Sequence, residues 1–211
     1  MKKTIMLLLL SLLVGGSTLF AQGLGLRAGL NFQNLTGDGF EDGKMAPRFN
    51  IGVDYEIAVA PDFYFAPGLL FATKGSKFER EGIDVEETRT LNYLEVPLNL
   101  AYKPVLGNGN LIVAFGPYVG YGLGGKMKAE GSTGMGPIEL SGSYEEDIAF
   151  GSDEEEDDFK ALDMGANLSF GYMFGAGLSL QFNTQLGLVN ISHGDDAVKN
   201  TGFGLSLGYR F

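Results

Sequence analysis

Residues 202–211 read GFGLSLGYRF. Phe203, Leu205, Leu207, Tyr209 and Phe211 fall on one side of an extended chain. Gly204, Ser206, Gly208 and Arg210 fall on the other. Strict two-residue alternation is the signature of a β-strand with two unlike faces. An aromatic residue in last place, with no polar tail after it, asks for surroundings that accept apolar groups up to the chain end.

The same alternation recurs upstream. Seven further segments carry it: 24–32, 48–59, 63–74, 93–103, 111–123, 162–173 and 178–189. In RFNIGVDYEIAV (48–59), Phe49, Ile51, Val53, Tyr55, Ile57 and Val59 oppose Arg48, Asn50, Asp54 and Glu56. The charged residues of all eight segments lie on the second face: Arg27, Arg48, Asp54, Glu56, Lys74, Glu95, Lys103, Asp163 and Arg210. Connections alternate as well. Those at 33–47, 75–92, 124–161 and 190–202 are long, whereas 60–62, 104–110 and 174–177 are short. This predicts an all-β fold, an eight-stranded antiparallel up-and-down transmembrane β-barrel with brief periplasmic turns and long external loops. Closing it requires the last strand to pair with the first, because an open edge in lipid leaves backbone groups unpaired at several kcal/mol each.

Composition agrees. The chain has 211 residues, 33 of them glycine, and no cysteine, so it needs no disulfide and offers no thiol nucleophile. Lys2 and Lys3 precede the apolar run IMLLLLSLLV (5–14) and then STLFAQ, the layout of a secretory signal peptide over 1–21. The domain expected to remain is a single outer-membrane β-barrel over 22–211, with no appended periplasmic domain. A net charge of −11 argues against nucleic acid as a partner.

Several stretches resemble a known family. The leader ending AQ, the start GLRAGLNF, the segment LNYLEVPLNLAYK, the later GPYVGYGL and the terminal GYRF resemble the PorT-like small outer-membrane β-barrels, also called porin family or outer membrane protein β-barrel domain proteins. The resemblance implies a location in the bacterial outer membrane, among its lipids and lipopolysaccharide. It also implies that Tyr209 and Phe211 form the signal read by the barrel-assembly machinery. The word porin is not to be taken literally, since eight strands enclose a space that side chains fill. We expect Arg27, Arg48 and Arg210 to form a paired polar lumen with Asp54, Glu56, Glu95 and Asp163, because unpaired charges there would be costly.

Other motifs carry less. The stretch SYEEDIAFGSDEEEDD (143–158), in the acidic external loop 124–161, reads as a solvated surface loop. Asp153, Glu154, Glu155, Glu156, Asp157 and Asp158 are weak candidates for divalent cations, without EF-hand spacing. GYGLGGKM (120–127) nearly matches a phosphate-binding loop but has Met127 where Ser or Thr must stand. Ser192, His193 and Asp195 invite a hydrolase reading, yet residues so close in sequence rarely converge. Pro67, Pro97 and Pro117 each delete a ladder hydrogen bond and mark candidate bulges or narrow sections of the barrel. The reading is a monomeric, non-enzymatic barrel without cofactor, serving as envelope stabiliser or binding surface. Its alternatives are a membrane-embedded lipid-modifying enzyme and a soluble lipocalin-like barrel with the apolar face turned inward.

Overall fold

The computed structural model describes residues 23–37, 43–80, 84–135, 138–153, 157–194 and 196–211. The leader 1–21 lies outside them. Eight long strands make the fold: β1 (Leu24–Gly37), β2 (Lys44–Tyr55), β3 (Phe63–Arg80), β4 (Asp84–Tyr102), β5 (Gly109–Met135), β6 (Leu162–Phe174), β7 (Leu178–Gly187) and β8 (Val198–Arg210). Each pairs antiparallel with the next. β8 returns to β1 from Gly25↔Arg210 through Gly37↔Val198, which closes the ring. Beyond that ladder, the Phe211 N–H donates to the Leu24 carbonyl at 3.0 Å.

The two faces are sorted as alternation predicts, and they settle which side is which. Along β1, Leu26, Leu30 and Phe32 are exposed while Asn31, Gln33 and Leu35 are buried. Along β8, Phe203, Leu205, Leu207 and Tyr209 are exposed and Ser206 is buried. The apolar side is therefore the outside, the inverse of a lipocalin. Aromatic rings gather at two levels of that surface. Phe32, Phe203 and Phe182 neighbour one another at 5.8 and 6.1 Å near the long-loop end. Phe63–Tyr102, Tyr172–Phe174 and Tyr209–Phe211 sit near the short-turn end. These are the interfacial girdles of a membrane barrel.

Two expectations need correction. First, the long connections are not loops throughout. β3 and β4 run on as a hairpin to Arg80 and from Asp84, and β5 continues to Met135, where Ile138–Ile148 pairs back against it. At about 3.3 Å per residue, β5 alone measures roughly 90 Å, three times a hydrocarbon layer. Its outward apolar row stops at Leu123, and beyond that point Lys126 and Lys128 are exposed. The upper strands of β3, β4 and β5, together with Ile138–Ile148, thus form a sheet above the membrane. Strict alternation is missing from them because neither of their faces meets lipid.

Second, the prolines mark no bulges. Pairing skips Gly68 and Leu69 opposite Val96 and Pro97, and skips Leu98 and Asn99 opposite Gly116 and Pro117, yet register is the same on either side of each gap. The missing N–H groups interrupt the ladder without inserting a residue. Apart from a shift between Ala58 and Ala60 near the first short turn, the bulges fall at glycines instead. A shift between Asn92 and Tyr93 leaves an extra residue on β5 beside Gly124, whose φ is +133°. A second, between Met45 and Asn50, lies opposite Gly75, at φ +116°. Such angles are open to glycine and strained for other residues. The phosphate-loop look-alike at 120–127 is this bulged stretch of β5.

Candidate functional site

Charges on the inner face gather at two levels. In the outer half, Lys74 on β3 is fully buried. Its Nζ lies 2.9 Å from Glu95 Oε2 on β4 and 3.0 Å from Asp163 Oδ2 on β6. The rings of Tyr118 and Tyr93 stand 4.1 and 5.2 Å from the ammonium. The remaining lone pairs are met: Asn200 Nδ2 donates to Asp163 Oδ2 at 3.0 Å, the Tyr118 hydroxyl to the same oxygen at 3.2 Å, and Gln185 Nε2 to Glu95 Oε2 at 2.9 Å. Strands β3 to β8 each contribute a side chain, so the cluster ties most of the ring together across its axis.

Near the short-turn end, Arg210 Nη2 contacts Asp54 Oδ1 at 2.5 Å and Glu56 Oε1 at 2.7 Å, and Lys103 Nζ contacts Glu56 Oε2 at 2.7 Å. The pair Arg210–Glu56 links the last strand to the segment just after β2. This cluster is an electrostatic clasp beside the closing seam.

Of the seven charged residues expected in the lumen, Asp54, Glu56 and Arg210 meet in the lower cluster, while Glu95 and Asp163 meet in the upper one. Arg27 lies between them and lines both of the small cavities there, within the fields of Asp54 and Glu95 but without a salt bridge among the described residues. Arg48 does something different. Its guanidinium donates to the carbonyls of Lys74 at 2.9 Å and Arg89 at 2.7 Å, beside the Gly75 bulge. There the Thr73 hydroxyl also accepts from Phe49 N–H at 2.9 Å and donates to Phe49 O at 3.0 Å. Arg48 stitches an interrupted ladder rather than neutralising a carboxylate. Lys74 and Lys103, both on the charged face of the sequence pattern, join the two clusters beyond the seven expected residues. The signal that could have found them is the shortage of cations there, which those two lysines relieve.

Little room is left. The two cavities between the clusters hold about 40 Å³ each, enough for roughly three waters apiece. Above Lys74 the lumen is capped by apolar side chains. Leu35, Leu91, Tyr93, Ile148, Phe159, Ile191 and Val198 form one buried cluster, with Met127 and Phe150 packed on it. Three of these residues, Ile148, Phe150 and Phe159, come from the acidic segment. Phe150–Gly151 pairs in parallel with Phe159–Lys160, and Lys160 N–H donates to Ile191 O at 2.8 Å, which draws the segment over the barrel mouth. The segment read as a solvated loop therefore contributes a hydrophobic plug.

Phe150 rests against Gly122: a Cβ there would lie 2.4 Å from its ring. Replacing Gly122→Val should push the ring off Tyr93, its edge-on neighbour at 5.4 Å. The expected cost is about 1–3 kcal/mol, read from the urea midpoint in detergent, with faster proteolysis confined to 149–161.

The acidic residues are spent locally. Asp157 Oδ2 accepts from Asp153 N–H at 2.9 Å and Asp158 Oδ2 from Ala149 N–H at 2.8 Å, while Glu154, Glu155 and Glu156 lie outside the described residues. No three acidic or histidine side chains among the described residues are placed to hold a metal ion. On the sheet above the membrane, a hydrogen bond from Lys126 holds the Glu145 carboxyl below its ordinary range. The Ser192 hydroxyl accepts from Gly194 N–H at 3.2 Å, and His193 Nε2 has no hydrogen-bond partner among the described residues. Asp195 lies outside them. The geometry there assembles no nucleophile–base pair.

Comparison with known proteins matches residues 20–193 to the family model described as outer membrane protein beta-barrel domain. No curated protein matches the chain in sequence. Among solved structures, the chain is similar to Ail, the attachment invasion locus protein of Yersinia pestis, solved in complex with the heparin analogue sucrose octasulfate. Identity is 16%, with 90% of this chain and 99% of that one covered, at a TM-score of 0.42. Neisserial surface protein A is 10% identical, with 90% and 97% covered, also at 0.42.

Proposed function

Because the chain belongs to the outer membrane protein beta-barrel domain family, an integral β-barrel of the bacterial outer membrane, we propose that it works as a closed, non-enzymatic barrel whose upper sheet is its binding surface. Within the family we infer a PorT-like member, on the stretches LNYLEVPLNLAYK and GPYVGYGL. The observation that carries the closed reading is the fully buried Lys74 held between Glu95 and Asp163 under an apolar plug. A diffusion channel needs a continuous wet path, and an ion crossing here would have to break that cluster and then pass Leu35, Leu91 and Ile191.

The barrel stabilises the envelope as a monomer among lipids and lipopolysaccharide, and inserts through the assembly machinery, with Tyr209 and Phe211 as its signal. The mature domain is 22–211, released by removal of 1–21. Divalent cations, where they associate, do so diffusely along the acidic segment.

Single-channel recording in a planar bilayer tests the closed state. The expected trace is flat, without steady conductance; a large stable current would overturn the reading.

A further inference from the structure

The sheet above the membrane ends in an open edge. Ile138–Ile148 pairs with β5 from Met135↔Ile138 to Gly125↔Ile148, and among the described residues it pairs with no other strand. Residues 142–147 are exposed without exception, so no described residue covers their outer side. Six extended residues at about 3.3 Å each present roughly 20 Å of N–H and C=O groups spaced for one more strand.

Natural sheets blunt such edges with charged side chains, lysine above all, with proline or with a bulge. This one has no lysine, proline or bulge: 142–147 reads GSYEED in unbroken register with β5, and its one deterrent is a run of acids, which repels acidic strands and admits basic ones. Its charge selects what can pair. Glu145, Glu146 and Asp147 stand together with no cation on the strand; Lys126 of β5 pairs with Glu145, so Glu146 and Asp147 are the acids left to a partner. A second copy would bring the same three acids alongside, and like charges across a pair are unfavourable. The anionic headgroup layer of the outer leaflet repels the strand too, which keeps its edge away from lipid. Tyr144, 57% exposed on the same strand, offers a ring against which an aliphatic side chain can lie.

We propose that this edge takes up an extended, lysine- or arginine-bearing segment of a partner protein as an added strand. Backbone pairing supplies affinity and the acids supply selectivity. The inference rests on the surface-binding reading above and names the partner's chemistry.

The test uses the folded barrel in nanodiscs of zwitterionic phosphatidylcholine and three seven-residue peptides. One alternates Lys and Val, the second is the same peptide with alternate backbone amides N-methylated, and the third carries Glu in place of Lys. Calorimetry should detect the first alone. Glu146→Lys combined with Asp147→Lys should weaken it at least tenfold while the gel-mobility shift on boiling, the mark of a folded barrel, is kept. Equal binding of the N-methylated peptide would show charge attraction without strand addition and overturn the proposal. So would silence from all three peptides, or a dimer of the barrel itself in the discs. Loss of the boiling shift in the unmodified protein would instead overturn the barrel reading beneath it.

Discussion

Replacing Lys74→Met should cost about 3–5 kcal/mol, among the largest effects expected of any substitution in this chain. The reason is not the strength of the ion pairs. Removing the ammonium leaves Glu95 and Asp163, each almost wholly buried, facing one another with no cation in direct contact with either. Two such carboxylates cannot both stay ionised without cost. Asn200, Tyr118 and Gln185 still donate to them, but those neutral donors were arranged around a cation. The triple variant Lys74→Met, Glu95→Gln, Asp163→Asn should recover most of the loss, since it removes the charges along with their counterion. Urea unfolding of the two proteins in the same micelles measures the difference. A Lys74→Met protein as stable as the parent would mean that water reaches the cluster and the lumen is not sealed.

The second large effect lies on the opposite face and depends on depth. Leu207 is outward on β8 and 58% exposed, between Phe203 above and Tyr209 and Phe211 below. Leu207→Arg places a charge near the middle of the hydrocarbon layer, at about 2–4 kcal/mol. The same change at Phe211, within the lower girdle, should cost about 0–1 kcal/mol, because an interfacial arginine reaches headgroups and water. Reversible unfolding from lipid vesicles gives both values. The ratio matters more than either number, since an aqueous surface would show no gradient from 207 to 211.

Much of the barrel was legible because lipid and a polar lumen demand opposite side chains at alternate positions. Wherever a strand touches both, as in 24–32 or 202–211, the alternation is strict. Above the membrane that contrast disappears. The upper parts of β3, β4 and β5 carry Lys77, Glu86, Glu87, Arg89, Lys126 and Lys128, some outward and some inward, so nothing distinguishes them from loop. Bulges at Gly75 and Gly124 hide them further. Beyond Gly124 the exposed positions switch from the odd residues Tyr121 and Leu123 to the even residues Lys126 and Lys128.

The paired lumen was readable in kind but not in membership. A rule that charges must be balanced says nothing of which lysine reaches which carboxylate, and Lys74 meets Asp163 from 89 residues away. The plug was hidden for a similar reason. Ile148, Phe150 and Phe159 are scattered among acids, and only their position over the barrel mouth makes them a cap.

Nitroxide labels at Val53, Leu98 and Leu205 in reconstituted protein test most directly which way the apolar face points. All three residues are outward and exposed on strands β2, β4 and β8. Frequent collisions with dissolved oxygen and rare collisions with a water-soluble nickel complex are expected at each. Free access of nickel at these positions would contradict a barrel whose apolar side lies in lipid and whose charges are sealed within.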